Sequence, residues 1–176
     1  KPRVLEILKG GDDKEFGISM SETLDDNLRM DLSTQEWYMH NDNYGTSEEK
    51  YLIHFIRNAM EDLKKRYQDV YLLRNEKMFK IYRFSDGKAI EPDFVLFLKT
   101  KGSKEVISYQ LFIEPKGNRG LIEDKWKEEF LKEIEAEFRI ETLFEKGKYK
   151  LIGMPFFNEQ QAKQEFSKVF GEKLSL

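Results

Sequence analysis

Between Pro92 and Lys99 the chain carries five consecutive apolar residues, Phe94-Val95-Leu96-Phe97-Leu98. A strand without polar alternation must be buried on both faces, so this run predicts the middle of a sheet covered by helices on either side. It falls far short of the roughly 18 apolar residues of a membrane-spanning helix, and no other run is longer. A chain of 176 residues can bury such a sheet as one domain, or one with an appendage, without disulfide or zinc staples.

The flanking segments fit this layout. Thr46 or Ser47 followed by Glu48 and Glu49 resembles a helix start, with a hydroxyl cap and acids in the positive first turn. Tyr51, Leu52, Phe55, Ile56, Ala59, Met60 and Leu63 then recur at helical spacing to about Tyr67. Strands are predicted at Val70–Leu73, at Phe79–Phe84 with clean alternation, at Phe94–Lys99 and at Val106–Glu114, with a turn at Ser85-Asp86-Gly87-Lys88. Leu121–Phe138 reads as a helix whose stripe is Ile122, Trp126, Phe130 and Ile134 beside Leu131, so that Trp126 packs in the core. Short strands at Arg139–Glu145 and Lys148–Gly153 and a helix at Gln160–Phe170 complete an α/β (or α+β) arrangement around one mixed sheet. Residues 1–45, with turn signals at Gly10-Gly11-Asp12-Asp13 and Asn41-Asp42-Asn43-Tyr44-Gly45, read as an irregular leader to a domain spanning 46–176.

Composition narrows the chemistry. The absence of cysteine removes thiolate metal sites, cysteine nucleophiles and disulfides together, and fits a reducing cytoplasm. The chain opens on Lys1 without a signal peptide, which reads as part of a longer or processed protein. Phosphate-binding glycine loops, dinucleotide fingerprints, zinc-protease helices and serine-hydrolase elbows are all missing. The two histidines are His40 and His54, and His54 sits within a helical run as an ordinary structural residue. A formal charge of −3 argues against a sequence-independent DNA coat. Any nucleic-acid contact is therefore local, or supplied by another part of a longer protein.

What remains is a set of carboxylates and a lysine. Pro92-Asp93 opens the apolar strand, and Tyr109-Gln110-Leu111-Phe112-Ile113 leads into Glu114-Pro115-Lys116-Gly117. Asp93 and Glu114 are 21 residues apart, enough for two neighbouring strands folded as a hairpin around Gly102. Strand alternation puts Gln110, Glu114 and Lys116 on one face, where two carboxylates and a lysine can converge. Hard oxygen donors suit Mg²⁺, which takes one or two carboxylates and keeps several waters; the Pro115 carbonyl is a further donor. A metal so held polarises a phosphodiester and acidifies a bound water, and a lysine beside it orients that water or stabilises developing charge. In a chain 36% charged, an exposed acid and base at a strand end is the plainer alternative.

The segments Glu91-Pro92-Asp93-Phe94-Val95-Leu96 and Tyr109 to Gly117 resemble the PD-(D/E)xK nuclease signature. More narrowly, the wording through Asp124-Lys125-Trp126-Lys127-Glu128-Glu129-Phe130-Leu131 is similar to the C-terminal endonuclease domain of the Res subunits of type III restriction enzymes. The similarity covers about Thr46 to Phe138. It implies a restriction-endonuclease-like core and Mg²⁺-dependent cleavage of double-stranded DNA, with Mn²⁺ as a substitute. By that resemblance Asp93 and Glu114 hold metal, the Pro115 carbonyl assists, and Lys116 acts on the water or the transition state. An added acid from the preceding helix would be Glu49, with Glu48 second; complementarity to the helix dipole explains both equally. Arg119, Lys125 and Lys127 could meet phosphates, or simply form a solvated helix face. The ATP-driven motor of such enzymes is absent from this chain. Translocation and site recognition would belong to a helicase/ATPase region of the same longer protein and to a modification methyltransferase subunit. The alternative is a non-catalytic module that keeps the nuclease fold for DNA contact or subunit docking.

Overall fold

Helix α1, Ser47–Arg66, starts where the Thr46 hydroxyl accepts the Glu49 N–H at 3.3 Å. Asp13 adds a second cap, its carboxylate accepting both the N–H and the hydroxyl of Ser47 at 2.9 and 2.7 Å. Leu52, Ile53, Ile56, Met60 and Leu63 bury one stripe of the helix, while Lys64, Lys65 and Arg66 meet the negative C-terminal end. The computed structural model describes residues 13–83, 85–102, 106–118, 120–137, 141–144 and 147–176, with backbone alone at 135–137, 141–144 and 147.

The chain leaves α1 directly into β1, Tyr67–Arg74. A small ribbon follows, β2 (Ile81–Tyr82) against β3 (Ala89–Ile90), and then β4 (Phe94–Thr100) and β5 (Ile107–Ile113). Helices α2 (Gly120–Glu123) and α3 (Lys125–Glu137) precede β6 (Glu141–Phe144) and β7 (Gly147–Gly153), and α4 (Lys163–Leu174) comes last. The main sheet has the order β1-β4-β5-β7-β6, with β5 and β7 parallel and the other neighbours antiparallel. The fold is therefore a mixed α/β one, and the apolar strand β4 is interior, as its composition demands.

Each face of the sheet has its own cover. On one, Leu72, Leu96, Leu111, Ile113 and Ile152 belong to a core shared with α1 and with Phe166, Phe170 and Leu174 of α4. Phe55, Phe157 and Phe166 meet there with ring centroids 5.2–5.8 Å apart. On the other face, Val95 and Phe112 pack with Phe130, Leu131 and Ile134 of α3. At Gly153 a side chain would collide with the Leu131 carbonyl, so a glycine lets α3 lie close on β7.

Three sequence expectations change. The alternating segment at Phe79–Phe84 is not a strand of the main sheet; Ile81–Tyr82 pairs only with β3, and Phe84 lies outside the described residues. The reason is that β4 already has β1 and β5 on its two edges, so no interior position is open. The helix predicted from Leu121 breaks at Asp124, and its first turn does not continue the stripe. Ile122 is 81% exposed and Trp126 is 38% exposed, so Trp126 is a surface residue under Lys88 and Lys127 rather than core.

Residues 13–45, read as a leader, form two short 3-10 turns at Asp26–Leu28 and Leu32–Thr34, capped by Asp25 and Asp31. Met20, Met30, Leu32, Trp37 and Tyr38 share one core with α1 and the sheet. Tyr38 also forms a parallel bridge to Leu72, with Leu72 N–H donating to the Trp37 carbonyl at 2.7 Å. The ammonium of Lys50, fully buried on α1, donates to the Glu15 carboxylate at 2.8 Å and to its carbonyl at 3.0 Å, and Thr23 donates to the same carboxylate. Residues 1–12 lie outside the described part. Among the described residues, no helix is long and apolar enough to cross a membrane.

Candidate functional site

Pairing of β4 with β5 sets Phe94 opposite Ile113, which leaves Asp93 and Glu114 as the next residues beyond the paired ends. The backbone N–H of Asp93 donates to Glu114 Oε2 at 3.0 Å. Asn75, just past β1, fixes the Pro-Asp loop from the other side. Its N–H donates to the Asp93 carbonyl at 2.7 Å, and its side-chain amide donates to the Pro92 and Phe79 carbonyls at 3.0 Å each. Hairpin folding about Gly102 thus brings together the two motif segments that the spacing singles out.

Lys116 completes the cluster. Its ammonium lies 2.8 Å from Glu114 Oε1 and 2.8 Å from Asp124 Oδ2. The break between α2 and α3 is where Asp124 stands, and Lys127 approaches the same carboxylate at 3.2 Å. The backbone around Pro115 is held in a parallel bridge to Phe157, using the Glu114 carbonyl (3.1 Å) and the Lys116 N–H (2.8 Å). The Pro115 carbonyl takes no part in that pair of bonds.

The two acids at the start of α1 have separate jobs. Glu48 accepts the Glu159 N–H at 2.9 Å and the Asn158 side-chain amide at 3.2 Å. Burial raises its carboxyl above the usual range. Glu49 faces Arg74 at the end of β1, receiving its Nε at 2.7 Å on Oε2. Gly45 makes room for this carboxylate, because a side chain there would overlap Glu49. Arg74 is paired with Phe94 in the sheet register, so the Arg74–Glu49 pair sits beside Asp93.

The charges do not balance locally. Burial, then the nearby Glu114 and Glu49 carboxylates, push Asp93 well above the usual carboxyl range, and Lys116 and Arg74 offset this only in part. Burial disfavours the Lys116 ammonium, yet Glu114 and Asp124 outweigh it and raise its affinity for the proton. Asp124 moves the other way: its burial is outweighed by Lys116 and Lys127, which hold it below its ordinary value.

Asp93 and Arg74 border a cleft of about 1220 Å³. Its second wall comes from the segment before α1, including Phe16, Ser19 and Tyr44. Its described lining holds five acids (Glu22, Asp42, Glu76, Glu91, Asp93) against two cations (Arg74, Lys77). That excess, with the raised Asp93 carboxyl beside Glu114, is the donor chemistry a hard divalent cation relieves. Asp93 and Glu114, with the Pro115 carbonyl, are the oxygen donors here that could hold a Mg²⁺ keeping most of its waters. Glu49 does not complete a three-acid cage as it stands, since Arg74 holds it. Among the described residues no three His, Asp or Glu side chains converge on one point.

The basic residues expected to meet phosphates stand as follows. Lys125 is exposed, Lys127 is engaged by Asp124, and Arg119 lies outside the described residues. Gln110 lines a separate shallow hollow of about 240 Å³ with Tyr71 and Tyr149, not the cleft. His54 is half-buried on α1, and His40 donates through Nε2 to the Arg74 carbonyl at 3.0 Å. Arg74 and Asn75 carry no motif of their own. Neither does the fully buried Asn158, whose amide donates to the Lys116 carbonyl at 2.8 Å.

The model of the family described as HI_1054_C, C-terminal domain, matches residues 16–175. The chain belongs to this family. The HI_1054_C match takes in residues 16–45 as well as the motif segments, and so both walls of the cleft. A relative described as an uncharacterized protein of Haemophilus influenzae is 42% identical over 158 residues, covering 82% of this chain and 34% of the relative. The chain thus spans about a third of the length of the curated relative it matches. No solved structure matches.

Proposed function

We propose that this domain is a Mg²⁺-dependent DNA endonuclease module that hydrolyses phosphodiester bonds, working as the nuclease part of a longer protein akin to a type III restriction Res subunit. The observation that carries the reading is the doubly engaged Glu114, whose carboxylate takes the Asp93 N–H on one oxygen and the Lys116 ammonium on the other. The likeness of the Tyr109–Gly117 and Asp124–Leu131 segments to those subunits supports it from sequence.

Asp93 and Glu114 would hold the metal, with the Pro115 carbonyl as a further donor. When bound, the ion supplies Lewis acidity toward the phosphodiester and lowers the pKa of an attacking water. Lys116 is poised to orient that water by hydrogen bonding and to stabilise negative charge gathering on the phosphorus-bound oxygens. Asp124, on the far side of the ammonium, fixes its direction and keeps it protonated. Mn²⁺ would substitute; ATP would serve only a motor outside this chain. On this reading the helicase/ATPase region of the longer protein and a modification subunit deliver the domain to double-stranded DNA in the cytoplasm.

A second reading, a non-catalytic module with the same fold, draws on one observation: Lys116 is held between two carboxylates 2.8 Å away. Cleavage of supercoiled plasmid in Mg²⁺ or Mn²⁺ separates the two. The nuclease reading expects Lys116→Ala and Asp93→Asn to lower the rate at least about a hundredfold, the scale of losing one electrostatic stabiliser. Undiminished cleavage by either variant sinks it.

A further inference from the structure

Arg74 occupies a position that the metal chemistry does not use. It stands at the end of β1 with its side chain 27% exposed, lines the cleft, and is the cation next to Asp93 on the side away from Lys116. Among the described residues its side-chain partners are carboxylates: Glu49 through Nε at 2.7 Å and Nη2 at 3.5 Å, and Glu76 at 3.5 Å from Nη1. The nearer partner is buried in a recess that Gly45 leaves open, whereas the Arg74 side chain is the more exposed of the two. The phenol of Tyr38, buried and within electrostatic reach of both Arg74 and Glu49, has no hydrogen-bond partner among the described residues. An arginine whose planar fork is turned onto a carboxylate at the rim of a cleft presents the geometry that also binds a phosphate.

We propose that Arg74 binds a phosphate oxygen of the DNA backbone beside Asp93, and that Glu49 is the internal stand-in that occupies the guanidinium until the backbone displaces it. The proposal rests on the nuclease reading for the identity of the anion. The lining acids of the cleft outnumber its cations, so an entering phosphate meets only Arg74 and Lys77 as cations among its described lining. Exchange of one anion for another leaves the guanidinium paired throughout. It frees the Glu49 carboxylate on the Asp93 side, and the partnerless Tyr38 hydroxyl is a donor within the same buried neighbourhood.

The test is duplex binding without metal, so it is independent of cleavage. Fluorescence anisotropy of a labelled 20-base-pair DNA is measured in EDTA over a range of salt concentrations for wild type, Glu49→Gln and Arg74→Ala/Glu49→Gln. The double variant leaves no unpaired charge in the recess, and circular dichroism establishes that each variant is folded. Removing the internal competitor should make Glu49→Gln bind several-fold tighter than wild type. Removing the guanidinium as well should weaken binding at least tenfold relative to Glu49→Gln, and should lower the slope of log affinity against log salt by about one. If Glu49→Gln and the double variant bind alike, or neither binds, Arg74 is a structural residue and the proposal fails. A cleavage assay that fails while this difference persists would instead remove the nuclease reading and leave the phosphate contact standing.

Discussion

Two buried clusters of opposite charge lie at the N-terminal half of α1 and at the ends of β4 and β5, and they are built differently. At Lys50 one ammonium meets one carboxylate, with Thr23 and a backbone carbonyl filling the remaining hydrogen bonds. Despite burial, those partners hold Glu15 below the usual carboxyl range. Around Lys116 the acids Glu114 and Asp124 pair with one ammonium, Lys127 also reaches Asp124, and Asp93 beside them has no ion pair of its own among the described residues and is driven above its usual range. The first cluster is closed and neutral, a clamp between residues 15–23 and the helix. The second leaves Asp93 short of positive charge at the edge of a cleft. Charge that a fold leaves uncompensated marks a place where a ligand belongs.

The largest expected effect breaks the closed cluster. Lys50→Ala leaves Glu15 buried without its cation and should lower stability by about 3–5 kcal/mol, read from urea unfolding. Pairing Lys50→Met with Glu15→Leu should recover most of that loss, because a matched apolar pair needs no compensation. A small effect of Lys50→Ala would show that the two clusters do not differ as argued.

At the open cluster the sign reverses. Asp93→Asn removes a carboxylate that its neighbours repel and should stabilise the protein at neutral pH by about 1 kcal/mol, and on the proposed nuclease reading it should abolish metal-dependent cleavage. A carboxyl raised on folding binds more protons in the native than in the unfolded state, so stability falls as pH rises from about 4. The advantage of Asp93→Asn over wild type should therefore grow from acid toward neutral pH in thermal unfolding curves. Asp124→Asn gives the smallest change, a loss of about 0.5 kcal/mol discounted for solvent screening. Since Asp124 is lowered on folding, its contribution is present at neutral pH and fades below about pH 4, opposite in direction to Asp93.

The sequence revealed the parts of the molecule governed by local repetition. Helical spacing marked α1, unbroken apolarity marked β4 as interior, and a hairpin spacing brought Asp93 to Glu114. It was silent where a single polar residue acts across a long separation. Arg74 reaches Glu49 over 25 positions, Lys50 reaches Glu15 over 35, and Asn158 reaches Glu48 over 110. Such contacts leave no period or motif. Trp126 misled for a related reason: its spacing fits the stripe of Phe130 and Ile134, but the break at Asp124, made where that side chain meets Lys116, takes the first turn off the sheet. The segment before α1 lacks periodicity because its apolar residues enter the core from short turns, one at a time.

Calorimetric titration of Mn²⁺ into the protein, in two buffers of different ionisation enthalpy, tests the cation deficit at Asp93 most directly. One saturable site is predicted, lost in Asp93→Asn, with protons released on binding in numbers that increase as the pH is lowered, because the ion displaces the proton that Asp93 holds too tightly. Equal binding by wild type and Asp93→Asn, or binding without proton release at any pH, would contradict it.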